Sequence, residues 1–427
     1  MIEKRRSELL RRFFEKENLV KFIHSADLHL DSPFEGLKQL PDEVWQRVYR
    51  SPFLALTKLV DIAIENQVDF VLLAGDLYDQ DTQSVAAQLS LKDQLQRLLD
   101  HQIAVYLSYG NHDYHPAESA SIGIPADVVQ FGPAVTTQTL ITRDQKRVAI
   151  SGFSYDQRWL EDDQVPKFPE RQNEDYHIGM LHGSVKQGKD SDHYAPFELS
   201  ELVAKHYDYW ALGHIHKPQL LAETPPIVYA GTIQGRHKNE AGPHGFDMVS
   251  DETGRLQPTF IPVSPIDWVT LTVSAESTDD DASLIDRIMS QMSQQQSDRF
   301  QLSSLIIDNV EVLSPDLLQR LLDGTWQGQL DHEQQRQVAT GNAWIYEVTP
   351  KPTAPKIEYS ELDERFWQAA SQNVFTASNL QLTAGKLMQT PFLAAHFAAS
   401  EVQEQITNRA ESLLVQESRQ EAAERED

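Results

Sequence analysis

The fold is decided by residues 68–79, which read VDFVLLAGDLYD. The run from Val68 to Leu73, apolar except for Asp69, is typical of a strand that is buried on both faces, as in a parallel sheet covered by helices. The run stops at Gly75, and Asp76 follows directly. Because open α/β sheets bind ligands at the carboxyl ends of their strands, this carboxylate stands where a functional site is expected.

The same order of strand and polar residue recurs along the first part of the chain. Apolar residues at helical spacing separate the first three strands, which indicates successive strand–helix–strand crossovers and a parallel sheet. The pair Ser51-Pro52 predicts where the first of these helices begins. Four further polar groups follow strand-like runs: Asp27-Leu28-His29, Gly110-Asn111-His112-Asp113, His182-Gly183 and Gly213-His214-Ile215-His216.

The donors in these groups are carboxylates, imidazoles and one amide carbonyl, a set that suits a divalent ion such as manganese or zinc. The chain has no cysteine, so thiolate ligands are excluded. We expect two ions that share Asp76, because a carboxylate offers two oxygens. The expected ligands of the first ion are Asp27, His29, Asp76 and His216, and those of the second are Asp76, Asn111, His182 and His214.

A water between two such ions is deprotonated near neutral pH and can attack phosphorus in line. The sequence therefore predicts a binuclear metallophosphoesterase. His112 is next to a ligand, and we expect it to face the phosphate as a catalytic residue that stabilises the transition state or protonates the leaving oxygen. We expect Asp113 to orient the imidazole of His112.

Several other polar residues receive structural interpretations. We expect Asp79 to cap the helix that follows it, and Asp31 to lie in a turn. His193, His237 and His244 have no partner at ligand spacing, so they are interpreted as surface residues.

Length and charge set further limits on the function. A chain of 427 residues predicts two or three domains. The formal net charge of −27 argues against free-standing binding to nucleic acid, because an acidic surface repels polyanions. No signal peptide and no apolar run long enough to span a membrane is recognised in the sequence, so we expect a soluble, cytoplasmic protein.

Composition and periodicity predict five segments along the chain. They are an N-terminal helix over residues 1–20, a metal-binding domain over 21–265, a small α/β domain over 266–350, a proline-rich linker over 351–359, and a helical, acidic region over 360–427.

The motif order over residues 22 to about 250 resembles the calcineurin-like metallophosphoesterase superfamily: Asp-x-His, Gly-Asp-x-x-Asp, Gly-Asn-His-Asp, a single His, and Gly-His-x-His. Within that superfamily the chain looks similar to the SbcD-type exonucleases of DNA double-strand-break repair, especially the YhaO-like branch. Three features carry this narrower resemblance: HLDSPF at residues 29–34, His182-Gly183, and YAGTIQGRH at residues 229–237.

The resemblance implies a four-layer α/β/β/α sandwich, followed by a smaller α/β capping domain and a helical C-terminal tail. It also implies manganese-dependent cleavage of DNA phosphodiesters, with the metal ligands given above, His112 as the catalytic histidine, and Arg236 and His237 in substrate binding. The implied partners are DNA, an SbcC-like or YhaN-like coiled-coil ATPase that docks at residues 360–415, and a second copy of the chain bound through helices near residues 84–125.

Two other functions stay open at this point. A phosphodiesterase or phosphatase for small or nucleotide substrates would use the same metal ligands, and the acidic charge favours it. A non-catalytic scaffold for the partner ATPase is the third reading, and the complete set of expected ligands speaks against it.

Overall fold

A computed structural model of the chain describes residues 19–79, 83–114, 123–186, 193–252, 254–294, 297–336 and 341–351. It also describes the isolated positions 374, 379, 383, 385, 397, 402 and 406. The expected N-terminal helix, the proline-rich linker and the helical C-terminal region with its ATPase-docking segment therefore lie almost entirely outside the described residues.

Two six-stranded sheets form the body of the first part of the chain. The strands of the first sheet are β1 (Lys21–Ser25), β2 (Phe70–Ala74), β3 (Ala104–Ser108), β4 (Val129–Gln130), β11 (Gly245–Ser250) and β12 (Gln257–Pro262). The strands of the second sheet are β5 (Thr136–Ile141), β6 (Arg147–Gly152), β7 (Tyr176–His182), β8 (Tyr209–Gly213), β9 (Gln219–Glu223) and β10 (Pro226–Tyr229).

The order of the strands is β12-β11-β1-β2-β3-β4 in the first sheet and β5-β6-β7-β8-β10-β9 in the second. Strands β1 to β4 are parallel to one another. Strands β6, β7, β8 and β10 are likewise parallel. Because parallel strands end at the same edge of a sheet, each sheet collects the loops that follow these strands at one edge.

Two helices cover the outer face of the first sheet, α1 (Asp42–Glu65) and α2 (Val85–Asp100). Leu59 of α1 and Leu95 of α2 are buried in one apolar core together with Val71 of β2. Ser84 caps α2, since its side chain accepts a hydrogen bond from the Ala87 N–H at 3.1 Å.

The predicted start of α1 at Ser51-Pro52 is wrong, because the helix begins at Asp42 and runs through Pro52. Proline has no N–H, so the carbonyl of Val48, four residues earlier, loses its usual helical partner. The Ser51 hydroxyl donates to that carbonyl oxygen at 2.7 Å and satisfies it. The neighbouring serine thereby lets the helix continue past the proline.

The two sheets pack face to face, with Phe22, Phe70 and Ile178 among the buried residues between them. The outer face of the second sheet is covered by the short helix α3 (Leu199–Ala204) and a 3₁₀ turn at Val165–Lys167. The order of layers is therefore α/β/β/α, which confirms the predicted sandwich, although the fourth layer is thin.

Strands and helices continue to alternate beyond residue 265. They are β13 (Ile266–Ser274), α4 (Asp281–Gln294), β14 (Phe300–Asp308), a 3₁₀ turn (Val310–Val312), α5 (Pro315–Leu322), α6 (Gln327–Gln335) and β15 (Ala343–Lys351). The three strands form a sheet of order β13-β14-β15. None of the described helices combines the length and the apolar character needed to cross a membrane.

The chain divides into two compact units. The first comprises Met1–Thr270, Gln296–Ser304 and Gln334–Tyr346, and the second comprises Leu271–Gln295, Leu305–Glu333 and Glu347–Asp427. The sandwich lies wholly in the first unit.

Candidate metal centre

The predicted ligands lie at the carboxyl ends of parallel strands in both sheets. In chain order, the ends of β1, β2, β3, β7 and β8 hold Asp27, Asp76, Asn111, His182 and His214. The loops after β1 and β2 remain hydrogen-bonded beyond the strands, because the N–H groups of Asp27 and His29 donate to Gly75 O and Asp76 O, each at 3.0 Å. This pairing fixes the first two motifs relative to each other.

One group of donors consists of Asp27, His29 and His216, whose ligand atoms lie within 4.8 Å of one another. The Nε2 atoms of His29 and His216 are 3.0 Å apart. An oxygen of Asp76 lies 3.7 Å from the same nitrogen of His29. These are the four side chains predicted for the first ion, and the structure brings them together.

A second group surrounds the other side of Asp76. His182 Nε2 lies 3.4 Å from Asp76 Oδ2 and 3.1 Å from Asn111 Oδ1. The Nδ1 atom of His214 lies 3.2 Å from the same Asn111 oxygen. These are the four side chains predicted for the second ion, so the structure brings all seven predicted ligands together around Asp76.

Three glycines make room for this cluster. A Cβ on Gly75 or Gly110 would collide with the His182 ring, and on Gly110 it would also collide with Asp76 Oδ1. A Cβ on Gly213 would lie 2.7 Å from His182 Nδ1 and would overlap the Ala74 carbonyl oxygen. The glycines that lead three of the motifs are therefore required by the close approach of the loops to His182.

The backbone at the site is strained. Four of the predicted ligands have positive φ values: Asp27 at 49°, His29 at 42°, Asp76 at 48° and His214 at 100°. For non-glycine residues this conformation costs about 1–3 kcal/mol each, and such strain concentrates at functional sites.

Two carboxylates support the histidines of the first group from behind. The Nδ1–H of His216 donates to Glu240 Oε1 at 2.6 Å, and His29 Nδ1 lies 3.1 Å from Asp79 Oδ1. A carboxylate behind an imidazole fixes its tautomer and leaves the other nitrogen free for a metal. The prediction that Asp79 caps the next helix is wrong, because Ser84 is that cap and Asp79 faces His29 instead.

His182 in the second group is supported differently. Its Nδ1–H donates to the Ala74 carbonyl oxygen at 3.0 Å, so a neutral backbone group stands where the first group has a carboxylate. In His29, His216 and His182 alike, the nitrogen that faces the other donors is Nε2.

The electrostatics suit metal ligation. Burial, followed by the charge of Arg236, lowers the pKa of His29 to about 3. Burial, followed by the neighbouring His182, lowers the pKa of His214 to about 3. Burial alone would raise the pKa of Asp76, but the adjacent His182 lowers it well below the usual range. Burial alone would lower the pKa of His182, but the adjacent Asp76 raises it to about 9. The site therefore holds an ionised Asp76 beside neutral His29 and His214, and His182 must release its proton to bind a metal, because ligands must be deprotonated.

Part of the chain is similar to a known family. Residues 20–218, just under half of the chain, match the sequence family described as Calcineurin-like phosphoesterase. All seven predicted ligands lie within the matched residues.

The chain is similar to a curated protein, the uncharacterised metallophosphoesterase YhaO of Bacillus subtilis (strain 168). The two are 41% identical over 249 residues, which is 58% of this chain and 61% of that relative, so the match spans less than two thirds of its length. Among solved structures, a dimetal phosphatase from Danio rerio aligns with a TM-score of 0.32 and 13% identity, over 57% of this chain and 99% of that one.

The calcineurin-like fold implies two divalent metal ions, in agreement with the number predicted from the donors. The contacts fit such ions. The Nε2 atoms of His29 and His216 face each other at 3.0 Å, and both Nδ1 atoms face carboxylates, so two lone pairs repel there unless a cation lies near both. In the second group, a divalent ion would replace the proton that His182 Nε2 holds against Asp76 Oδ2 and Asn111 Oδ1.

His112 lies beside this calcineurin-like centre without joining either group of ligands. Its backbone N–H donates to Asp76 Oδ1 at 3.0 Å, and its Nδ1–H donates to Asp79 O at 2.9 Å. The His112 ring lies 5.1 Å from the ring of His29. The Nε2 atom is therefore the one left to act on a substrate.

The expectation that Asp113 orients His112 is wrong. Its Oδ1 accepts the Gly110 N–H at 2.7 Å, and its Oδ2 accepts the Leu77 N–H at 2.6 Å. Burial, followed by the charge of Asp76, raises the pKa of Asp113 to about 7. Asp113 thus ties the loops after β2 and β3 together through their backbones.

The loop with the two predicted substrate-binding residues lies against the first group. Arg236 forms an ion pair with Asp79, and its backbone N–H donates to Glu240 Oε2 at 2.7 Å. The side chain of His237 is 54% exposed, with Nε2 3.2 Å from Glu240 Oε1. Their contact with substrate stays a prediction.

Sequence reasoning missed or misplaced several supporting residues. The sequence gives Glu240 no role, and the only signal for it is its place shortly after the YAGTIQGRH segment. His244 was expected at the surface, but it is buried, with its Nε2 2.8 Å from Glu240 O. Asp31 lies in a turn, as predicted, and its carboxylate also accepts hydrogen bonds from Tyr49 Oη at 2.9 Å and the Ser84 N–H at 3.0 Å.

Proposed function

We propose that the calcineurin-like domain hydrolyses phosphodiester bonds in DNA with two manganese ions, as the nuclease subunit of a repair complex in the cytoplasm. The observation that carries the hydrolytic part is the convergence of six donor side chains around a seventh, Asp76. Oxygen and imidazole donors without thiolate suit manganese. A coiled-coil ATPase of the SbcC or YhaN type, and a second copy of this chain, are the proposed partners.

Two bound ions would lower the pKa of a bridging water, supplying a hydroxide for attack on phosphorus, and would neutralise charge in the transition state. The chain's own residues prepare that reaction. Asp79 O holds the Nδ1–H of His112, so Nε2 is aimed as the atom that donates to a phosphoryl oxygen or passes a proton to the leaving oxygen.

The choice of DNA is supported by the segment through which the chain resembles SbcD-type exonucleases. Within this segment Thr232 Oγ1 donates to Asp27 O at 2.7 Å, and the Thr232 N–H donates to His216 O at 3.0 Å. The segment therefore supports two ligand loops directly. The net charge of −27 favours a second candidate, a phosphodiesterase for small or nucleotide substrates.

The test uses the purified full chain loaded with Mn²⁺, with metal content measured beside cleavage of labelled single-stranded and duplex DNA. We expect two ions per chain and cleavage that a chelator abolishes. His112→Ala should keep both ions and lose about a hundredfold or more in turnover, because positioned proton transfer contributes roughly 10²- to 10⁴-fold. His332→Ala, at a side chain 74% exposed in the second unit, is the matched control.

Cleavage of a chromogenic phosphodiester without cleavage of DNA, even with the cognate ATPase, would replace the DNA assignment by the small-substrate one. A protein that binds two ions and hydrolyses no phosphoester would overturn the enzymatic proposal.

A further inference from the structure

A solvent-exposed tryptophan lies in the loop that follows β6. Trp159 is 54% exposed, whereas Trp210, Trp268, Trp326 and Trp344 are buried. The Arg158 guanidinium lies over the indole, 5.8 Å from the ring centroid. An exposed indole beside a cation at one place on a domain surface is a candidate binding platform.

The position of this loop relates it to the metal centre. Strand β6 is parallel to β7, so the loop after β6 leaves the second sheet at the edge where His182 ends β7. That edge carries His182 and His214, two of the four predicted ligands of the second ion. Trp159 therefore belongs to the edge of the sheet at which a substrate would meet the ions.

A short segment links Trp159 to a predicted ligand. The ring of Trp159 contacts the ring of His193, with centroids 6.4 Å apart, and the Leu160 N–H donates to His193 O at 2.8 Å. The next residue, Tyr194, packs its ring 4.6 Å from the ring of His214. The adjacent residues His193 and Tyr194 therefore connect the exposed indole of Trp159 with His214 through ring contacts.

This segment is held firmly on both sides. The Ala195 N–H donates to Leu160 O at 2.6 Å, and the Ser184 N–H donates to Tyr194 O at 3.0 Å. The loop after β6 and the loop after β7 are therefore joined through Tyr194. Because these contacts are backbone hydrogen bonds, the spacing between the indole and His214 does not depend on the exposed side chains.

The charge of Arg158 is not neutralised by a carboxylate of the described residues. By contrast, Lys186 pairs with Asp163 at 2.9 Å, and Arg236 pairs with Asp79. Because Asp156, Glu161 and Asp162 lie in the same loop, the guanidinium attracts an anion through direct contact and not through a positive field around it. Its planar donors can bind a phosphate while its face remains on the indole.

We propose that Trp159 and Arg158 form a nucleobase subsite beside the metal centre, in which a base stacks on the indole and the guanidinium binds a neighbouring phosphate. This inference rests on the proposed phosphodiesterase function and narrows its substrates to phosphodiesters that carry a nucleoside. Stacking accepts any base, so the subsite gives preference for nucleotides without sequence specificity. The nucleoside could come from a nucleic-acid strand or from a free nucleotide ester.

Two chromogenic esters distinguish binding of a base from hydrolysis of the phosphodiester. Thymidine 5′-(4-nitrophenyl) phosphate carries a base, and methyl 4-nitrophenyl phosphate does not. For Trp159→Ala in the Mn²⁺-loaded full chain, we expect kcat/KM for the nucleoside ester to fall about five- to a hundredfold. The methyl ester should change little. Trp159→Phe should restore most of the loss, because a smaller aromatic ring still stacks.

Leu220→Ala is the matched control, since Leu220 is an exposed apolar residue (49% exposed) elsewhere on the second sheet. Equal loss for both esters in Trp159→Ala, or no loss for either, would overturn the subsite. A change confined to oligomeric state, measured by light scattering, would also overturn it, because the indole would then cover a second copy of the chain.

A binding measurement distinguishes the two sources of the nucleoside and is independent of turnover. Short oligothymidylates and thymidine monophosphate are titrated into wild type and Trp159→Phe, and the difference in tryptophan fluorescence quenching reports the indole. Quenching that strengthens with strand length assigns the subsite to nucleic acid, and equal quenching assigns it to nucleotides. No difference between the two proteins would overturn the subsite.

The failure of the two proposals can be told apart. If wild type hydrolyses neither ester with any divalent ion, the proposed function fails, while quenching still tests the subsite. If wild type hydrolyses both esters and Trp159→Ala behaves like wild type, the function stands and the subsite fails.

Discussion

The two halves of the metal centre use the same kinds of donor but support them differently. Behind the first half stand two carboxylates, Glu240 at 2.6 Å from His216 Nδ1 and Asp79 at 3.1 Å from His29 Nδ1. Behind His182 in the second half stands only the neutral carbonyl of Ala74. The difference lies in residues that do not themselves face the ions.

This contrast indicates unequal binding of two ions. A carboxylate behind an imidazole raises the basicity of the free nitrogen and holds it toward the metal. The first ion is therefore expected to bind more tightly than the second, although both share Asp76. The following experiments either remove the contrast or measure it.

The largest effect is expected from Asp76→Asn, which removes the carboxylate shared by both halves. The amide keeps the shape of the side chain but lowers the negative charge between the ions. We expect loss of at least one bound Mn²⁺ by elemental analysis and a fall in turnover of about a thousandfold, since metal charge stabilisation is worth several kcal/mol. Asp93→Asn on the exposed side of α2 is the control. Retention of both ions at wild-type affinity would contradict a shared carboxylate.

Removing one supporting carboxylate tests the contrast directly. Glu240→Ala should lower the affinity for one Mn²⁺ about ten- to a hundredfold and leave the affinity for the other nearly unchanged, as measured by calorimetric titration. Glu240→Gln should recover part of the affinity, because its amide oxygen can still accept the His216 Nδ1–H.

The matched control for Glu240 is a carboxylate–imidazole pair at the opposite end of β7. Glu174 Oε1 lies 2.7 Å from His177 Nδ1, far along the strand from His182. Glu174→Ala removes a contact of the same kind, so it should leave both metal affinities unchanged. If Glu240→Ala lowers the affinity for both ions equally, the two halves of the metal centre are not supported independently.

Gly110→Ala tests the second half through packing. Its Cβ would collide with Asp76 Oδ1 and would lie 2.7 Å from His182 Nε2, so the loop after β3 must move. We expect a loss of about 1–3 kcal/mol in unfolding free energy and weaker binding of the second ion. Gly132→Ala, where a Cβ meets nothing within 4 Å, should leave the thermal midpoint unchanged. Equal midpoints for the two variants would refute the packing argument.

The smallest effect concerns a buried histidine that binds no ion, His24. Both of its ring nitrogens have protein partners, Tyr209 Oη at 3.0 Å and Leu212 O at 3.2 Å. Burial lowers its pKa from 6.5 to about 3, so the unfolded chain binds more protons below pH 6.5. The contribution of His24 to the free energy of unfolding is therefore fully present above pH 6.5 and is lost as the pH falls toward 3.

In His24→Gln, the drop in stability between pH 7.5 and 5.5 should be smaller than in wild type by about 1 kcal/mol, measured by urea unfolding. Asp247 lies opposite His24 in the β1–β11 register, and burial raises its pKa to about 7. That carboxyl is present in both proteins, so the difference between them isolates His24. The same pH dependence in both would contradict a neutral, buried His24.

The ligand set could be predicted because each ligand is marked locally. Asp76 follows an apolar strand and a glycine, and parallel strands deliver such residues to one edge whatever the details of packing. The residues that hold the ligands in place do not follow such a local sequence pattern. The sequence predicts Asp79 as a helix cap and Asp113 as a partner of the adjacent His112. Both predictions fail because a sequence shows only which residues are adjacent along the chain.

The layered α/β fold and the chemical nature of the donors could be derived from the sequence alone, since strand periodicity, glycine-led turns and residue type are properties of short segments. Which nitrogen of each histidine faces the other donors, and which carboxylate lies behind it, depends on the folded domain. The contact of Glu240 with His216, or of Tyr194 with His214, joins loops from different strand ends. Such contacts depend on how the two sheets pack, and that packing is a property of the whole domain.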